Sequence, residues 1–276
     1  MSFIRPRRSP RNLLITDSGI NEAYIYAYPS LKRLYTLTGF SEPQGACSDG
    51  AGHFWITNTG DSNIVEYSSD GVNLGTLSDP HNYPVGCAYD PRTGNLAVTN
   101  VPSTSDSAGS VAIYAKAQGA PSLYGDPSMQ RMYFASYAGS TGTLVVDGEN
   151  SSYSLALVSF ANGTFTNITP KEGQSRFPGG VGWSTRLGIT YVGNQGSGDV
   201  IYVALSGHVR GQTILCATGC SILSFAIFGG TMAATSAGGA AVYLFDYPGG
   251  GRPLPKRIIN GFSEPIGVAM SDAVTE

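Results

Sequence analysis

Short apolar runs recur along the chain, and each closes on a polar residue: NLLITD at 12–17, HFWITN at 53–58, LAVTN at 96–100, TLVVD at 143–147, ITYVGN at 189–194 and TMAATS at 231–236. Between them lie stretches such as EAYIYAY, NIVEYSS and VNLGTL. These alternate and are rich in β-branched and aromatic residues, which favour a pleated, half-buried surface. Gly, Asn, Asp and Pro separate them, as turn residues should. No long stretch carries a helical period. The pattern predicts an all-β chain of many short strands.

The runs are copies of a larger unit. The string GFSEP occurs at 39–43 and again at 261–265, with Tyr28-Pro29 before the first copy and Tyr247-Pro248 before the second. Related segments begin at Tyr83, Arg131, Phe177 and, most weakly, Cys220. Five intervals separate Gly39 from Gly261, 222 residues apart, so the period is about 44. Propeller blades repeat every ~40–50 residues. The segment EPIGVAMSD from Glu264 stops short, and its missing continuation is NLLITD at the other end of the chain. The expected fold is therefore a six-bladed β-propeller of four-stranded blades. Its last blade joins an inner strand near 265–272 to three outer strands from 12–37. Such closure removes the exposed edges of an open array. Residues 1–10 read as a basic tail and 11–276 as one propeller domain.

The pattern P-x-G, then T-N, then I-x-x-Y resembles the NHL-repeat family of β-propellers, over residues 11–272. That resemblance implies the propeller and leaves function open, because such folds carry hydrolases, lyases, sensors and binding platforms.

With 41% hydrophobic and 13% charged residues, the chain has ample material for a core. A net charge of −3 gives no reason to expect nucleic acid or an anionic membrane. No apolar run reaches the ~18 residues of a membrane span. The start, MSFIRPRRSPRN, has no apolar signal core; it reads as cytosolic or as standing where a leader was removed. A monomer with a small-molecule ligand or substrate is expected. Of the four Cys, Cys47 and Cys87 read as buried small hydrophobes. Cys216 and Cys220 could pair in an oxidising compartment.

The repeat places two rings of residues at one end of the inner strands. Glu42, Tyr83, Arg131, Phe177, Cys220 and Glu264 precede those strands. Asp17, Asn58, Asn100, Asp147, Asn194 and Ser236 end the second strands. Asp and Asn favour such positions because their side chains bond nearby backbone N–H groups. Yet Glu264 and Asp17 come from the last blade, and Glu42 and Asn58 from the first, so carboxylates converge on one sector. Oxygen-only donors suit Ca²⁺, then Mg²⁺ or Mn²⁺. The metal candidates are Glu42, Glu264, Asp17, Asn58, Asn100 and Asn194. Asp147, His81 and Arg131 are candidates for catalysis, although Arg131 and Asp147 could simply pair. Tyr83 and Phe177 could stack on a ligand, whereas Trp183 reads as a packing residue. His53 and His208 fall on turns of the opposite face.

Glu42 and Glu264 resemble the Glu-before-Pro element of the gluconolactonase and paraoxonase type of metal-dependent hydrolase. Tyr83, Arg131 and Phe177 depart from it, standing where that family carries further Asn or Asp ligands. The resemblance implies a metal-assisted hydrolase of small esters, lactones or phosphotriesters, with Asp147 or Glu42 activating the nucleophile. The alternative is a non-catalytic propeller that binds a ligand or protein on the same face.

Overall fold

A computed structural model describes residues 11–102, 108–139, 141–170, 177–184, 187–195, 198–215, 222–247 and 251–272. The apolar runs are the second strands of six four-stranded antiparallel sheets. The first blade holds β4 (Pro43–Ser48), β5 (His53–Asn58), β6 (Asn63–Ser68) and β7 (Asn73–Ser78). The second holds β8 (Tyr83–Tyr89), β9 (Leu96–Val101), β10 (Ser110–Tyr114) and β11 (Ser122–Gly125). The third holds β12 (Arg131–Ala138), β13 (Thr143–Glu149), β14 (Leu155–Ala161) and β15 (Thr164–Asn167). The fourth holds β16 (Pro178–Ser184), β17 (Ile189–Asn194), β18 (Asp199–Val203) and β19 (Val209–Ile214). The fifth holds β20 (Phe225–Phe228), β21 (Thr231–Ser236), β22 (Ala241–Asp246) and β23 (Arg257–Asn260). The sixth is split: β1 (Arg11–Asp17), β2 (Glu22–Tyr28) and β3 (Lys32–Leu37) add to the inner strand β24 (Pro265–Asp272). Leu14 pairs with Ala269 in that closing sheet. The six-bladed propeller closes as the repeat predicts.

The second strands are apolar on both faces because a blade is covered on both faces. Leu13 and Ile15 pack toward Val242 and Leu244 of the fifth blade, while Leu14 packs toward Phe54 and Ile56 of the first. The same division gives one apolar cluster at each of the six junctions between blades. Each fully buried Leu, Ile or Phe contributes ~1.5–3 kcal/mol. The core is thus a ring of slabs, and no blade can bury its faces alone.

The P-x-G and T-N elements tie the slabs together at the axis. A Cβ on Gly45 would lie 2.5 Å from the Val85 carbonyl oxygen, and one on Gly267 2.3 Å from that of Gln44. Only glycine lets neighbouring inner strands approach this closely. The Thr16 hydroxyl accepts the Gly267 N–H at 2.7 Å and donates to the Gln44 carbonyl of the first blade at 2.5 Å. Thr235 does the same for Ser224 N–H (3.1 Å) and the Ile266 carbonyl (2.6 Å). Thr99 reaches the Tyr133 carbonyl of the third blade at 2.6 Å. Val146 and Gly193 hold this register in the third and fourth blades, so those junctions lack the hydroxyl.

One cysteine expectation is corrected. Cys47 and Cys87 are buried, but they form a disulfide with Cα atoms 5.6 Å apart. They lie on the inner strands of the first two blades, which close approach brings within bridging distance. Cys216 and Cys220 lie outside the described residues.

Two measurements check this account. Thr16→Val should lower unfolding free energy by ~1–3 kcal/mol, because the buried Gly267 N–H and the half-buried Gln44 carbonyl lose a partner. A change below ~0.5 kcal/mol in denaturant melts would refute the relay. Deleting residues 11–38 should abolish the cooperative melt of the entire protein, since one deletion opens two junctions; a truncated chain that still melts in a single step would contradict the closure.

Candidate functional site

Antiparallel pairing puts the starts of the inner strands beside the ends of the second strands: Pro265 opposite Asp17, Pro43 opposite Asn58, Pro84 opposite Asn100, Pro178 opposite Asn194. Both sequence-derived rings therefore share one end of the barrel-like axis. Their side chains, however, do different work.

The second ring faces inward to its own blade. Asp17 is fully buried and accepts the Ser263 N–H at 2.8 Å and the Glu264 N–H at 2.7 Å, one on each oxygen. Asn58 Oδ1 accepts the Ser41 N–H at 2.6 Å, and its amide donates to Asp61 and Asn63. Asn194 Oδ1 accepts the Phe177 N–H at 3.2 Å. Asn100 donates to Ser110 Oγ at 3.3 Å and helps keep the buried Asp79 charged against desolvation, which pushes that carboxyl up. Ser236 Oγ accepts the Gly239 N–H at 3.2 Å. Asp17, Asn58 and Asn194 fasten the turn that enters their inner strand, whereas Ser236 holds the β21–β22 turn.

The first ring lies on the surface. Glu42, His81, Tyr83, Phe177 and Glu264 are exposed. Glu42 takes a left-handed backbone (φ 51°), and its N–H donates to Asn21 Oδ1 at 2.8 Å. Arg131 pairs with Glu149 at 3.1 Å and lies over the Tyr153 ring at 5.4 Å. Its partner is therefore Glu149, two residues beyond the Asp147 named from the sequence. Among the described residues, no three His, Cys, Asp or Glu side chains come together as a metal-binding group. The oxygens considered for Ca²⁺ are divided between internal turn bonds and separate surface positions.

Asp147 is the exception in chemistry. It is fully buried, its Oδ1 accepts the Phe134 N–H at 2.8 Å, and Oδ2 completes no hydrogen bond. Burial pushes its carboxyl up to about 8, against the pull of the Phe134 and Gly179 N–H groups. It braces the junction that lacks a Thr hydroxyl.

The open space lies toward the other end of the axis. A cavity of about 260 Å³ is lined by the later residues of all six inner strands. Three places after the constricting register stand Ser48, Tyr89, Tyr137, Trp183, Ile227 and Met270, all partly exposed. Tyr89 is stacked on Trp55 with centroids 5.0 Å apart and planes 9° from parallel. Phe228 meets Tyr28 edge-to-face at 5.1 Å. The Trp183 indole nitrogen is buried with no hydrogen-bond partner. Among the described residues, tyrosine apart, no lining residue is ionisable, the two cysteines being oxidised. Sequence reasoning from polar ring positions passed over this end. The available signal was the repeated bulky residue, Tyr89, Tyr137, Trp183 and Ile227, at one register.

No known protein family and no curated protein matches the chain by sequence. Solved structures do match its shape. A chain from the crystal structure of a nidogen/laminin complex superposes with a TM-score of 0.76 at 12% identity, covering 95% of this chain and 98% of that one. A protein of unknown function from Bacteroides caccae gives 0.67 at 13% identity, covering 95% and 99%. With the sheet order, this likeness establishes the class: a six-bladed β-propeller. Among the described residues, no helix is long and apolar enough to cross a membrane.

The raised Asp147 carboxyl carries a signed prediction. Its ordinary value is 3.8, so between pH 4 and 8 the folded state holds a proton that the unfolded chain releases. Its contribution is greatest below pH 4 and falls as pH rises, by up to ~1.4 kcal/mol per unit, levelling above pH 8. Asp147→Asn should flatten that slope in melts taken from pH 5 to 9. A variant with an unchanged slope would place the titration elsewhere.

Proposed function

We propose that the protein is a non-catalytic binding propeller whose small-molecule ligand enters the aromatic-walled end of the central channel. The lining carries the proposal: among the described residues it offers aromatic and serine side chains but no Asp, Glu, His, Lys or Arg. Ser48, Ser136 and Ser224 stand there without a base to activate them. A concave site with a few polar groups is the usual form of a ligand pocket.

The metal-assisted hydrolase is the weaker reading, because Asp17 and Asn58 already accept backbone N–H groups and Glu42 and Glu264 lie on the exposed surface. A second binding mode, protein docking on the face of Glu42 and Glu264, is favoured by the exposure of Tyr83 (40%) and Phe177 (48%). The nidogen/laminin neighbour comes from a complex, which suits that mode without specifying a partner here.

The chain's two tryptophans, Trp55 and Trp183, provide the test. In 5-fluorotryptophan-labelled protein, a fragment bound in the channel should shift the Trp183 fluorine resonance, and Trp183→Ala should weaken it at least tenfold. Tyr83→Ala with Phe177→Ala should leave that binding unchanged. p-Nitrophenyl acetate, a lactone and a phosphotriester should show no turnover above buffer with Ca²⁺ or Mn²⁺ present. Metal-dependent turnover lost on Glu42→Gln with Glu264→Gln would overturn the proposal in favour of the hydrolase.

A further inference from the structure

Three threonine hydroxyls tie neighbouring inner strands across their junctions. Thr235 reaches from the fifth blade to the Ile266 carbonyl, Thr16 from the sixth to the Gln44 carbonyl, and Thr99 from the second to the Tyr133 carbonyl. Thr57 of the first blade does not cross. Its hydroxyl accepts the Gly45 N–H at 2.7 Å and turns back on the Gly45 carbonyl at 3.3 Å, both in its own blade. At the mouth, Thr59 donates to the Pro84 carbonyl at 2.6 Å. Further along the axis, on the cavity wall, the Cys47–Cys87 bond joins β4 to β8.

The setting of the two sulfurs separates a structural tie from the other uses of a cysteine pair. Cys47 and Cys87 are buried and share an apolar cluster with Trp55, Ile64, Leu96 and Val98. Cys87 Sγ lies 3.6 Å from the Trp55 carbonyl oxygen. Apolar burial and a nearby carbonyl dipole both disfavour a thiolate, which a reactive cysteine needs. A structural zinc site takes four ligands. Among the described residues, no three His, Cys, Asp or Glu side chains come together. The Cα atoms stand 5.6 Å apart, within the ordinary span of a disulfide.

The two cysteines are 40 residues apart. A crosslink over such a loop removes closure freedom from the unfolded chain. This one also spans two sheets, so it holds a junction and not a blade. Without it, the contact of β4 with β8 along the cavity wall rests on the shared apolar cluster and the Thr59 bond at the mouth.

Disulfides persist in oxidising compartments and are rare where thiol pools are kept reduced. We infer that the Cys47–Cys87 bond is a redox-dependent lock on the ring. It closes after the chain reaches an oxidising compartment, and reduction frees β4 from β8 along the cavity wall. Closure is thiol–disulfide exchange with a small disulfide such as oxidised glutathione. One cysteine thiolate attacks the oxidant and releases one glutathione. The second thiolate attacks the protein sulfur of the mixed disulfide, forms the Cys47–Cys87 bond and releases the other glutathione. The protein gives up two electrons and two protons, and the oxidant leaves as two thiols.

The test uses the full chain, made in the reducing cytosol and, separately, in the periplasm of one bacterial host, with free thiols trapped by iodoacetamide at lysis. Non-reducing peptide maps should show the Cys47–Cys87 link in the exported protein and both cysteines alkylated in the cytosolic one. Treating exported protein with tris(2-carboxyethyl)phosphine should lower its denaturant midpoint and speed amide exchange in β4 and β8 by about tenfold or more. Oxidised glutathione should reverse both changes. Cys47→Ser with Cys87→Ser should match the reduced protein and ignore the phosphine; if that variant does not fold, phosphine titration of the unaltered chain makes the same comparison. Cys216→Ser with Cys220→Ser should leave the response intact. Exported protein with Cys47 and Cys87 alkylated would overturn the inference. Equal midpoints and equal β4 and β8 exchange before and after reduction would do the same. A link already present in the cytosolic protein would overturn the compartment requirement, and a response lost with Cys216 and Cys220 would overturn the assignment to this junction.

Discussion

Six inner strands meet around one axis, and each is hydrogen-bonded to its own sheet along one edge only. Their mutual approach is the constraint on which the rest depends. At one end, the backbones come so close that a Cβ on Gly45 or Gly267 would overlap the neighbouring carbonyl. There the Thr16 and Thr235 hydroxyls accept from their own blade and donate to the next. Where Val146 and Gly193 replace Thr, the buried Asp147 accepts from the Phe134 N–H and the Gln195 side chain donates to the Pro178 carbonyl, each within its own blade. Close packing at that end and aromatic side chains at the other make the axis asymmetric. The usable cavity follows from that asymmetry.

The same chemistry explains why polar residues at the packed end can be misread as ligands. An Asp or Asn oxygen that suits a divalent cation suits a backbone N–H equally well. Type and spacing at Asp17, Asn58 and Asn194 are identical under both roles. What separates them is direction: these oxygens point into the turns before the inner strands, at N–H groups whose alternative is burial without a partner. Leaving such a group unpaired costs ~1–3 kcal/mol, which the turn bond avoids.

The disulfide illustrates a related limit. Cys47 and Cys87 sit 40 residues apart, just under one repeat, and apolar surroundings made them look like ordinary core thiols. Adjacent blades bring nearly equivalent positions together at the axis. A pair one repeat apart is therefore within reach of a crosslink in a propeller, whereas the same spacing in an open chain carries no such meaning. The crosslink joins the first two blades at the cavity wall, opposite the fourth and fifth blades that carry Trp183 and Phe228.

Repeat period, blade count and the splicing of β1 to β24 were legible in the chain because each blade must solve one local problem in the same way. Two apolar faces, a Gly at the axis and a Thr-Asn ending leave a periodic trace that a single sequence carries. So too was the sharing of one face by the two polar rings, since antiparallel pairing dictates it. Direction and depth were not legible. Whether Asp147 is buried, whether Arg131 meets Asp147 or Glu149, and which end of the axis stays open depend on how six blades tilt against one another. That tilt is set by contacts between residues distant in sequence, such as Leu14 against Phe54 and Val146 against Val111. Only the closed ring decides it, because each junction's geometry is fixed by the other five.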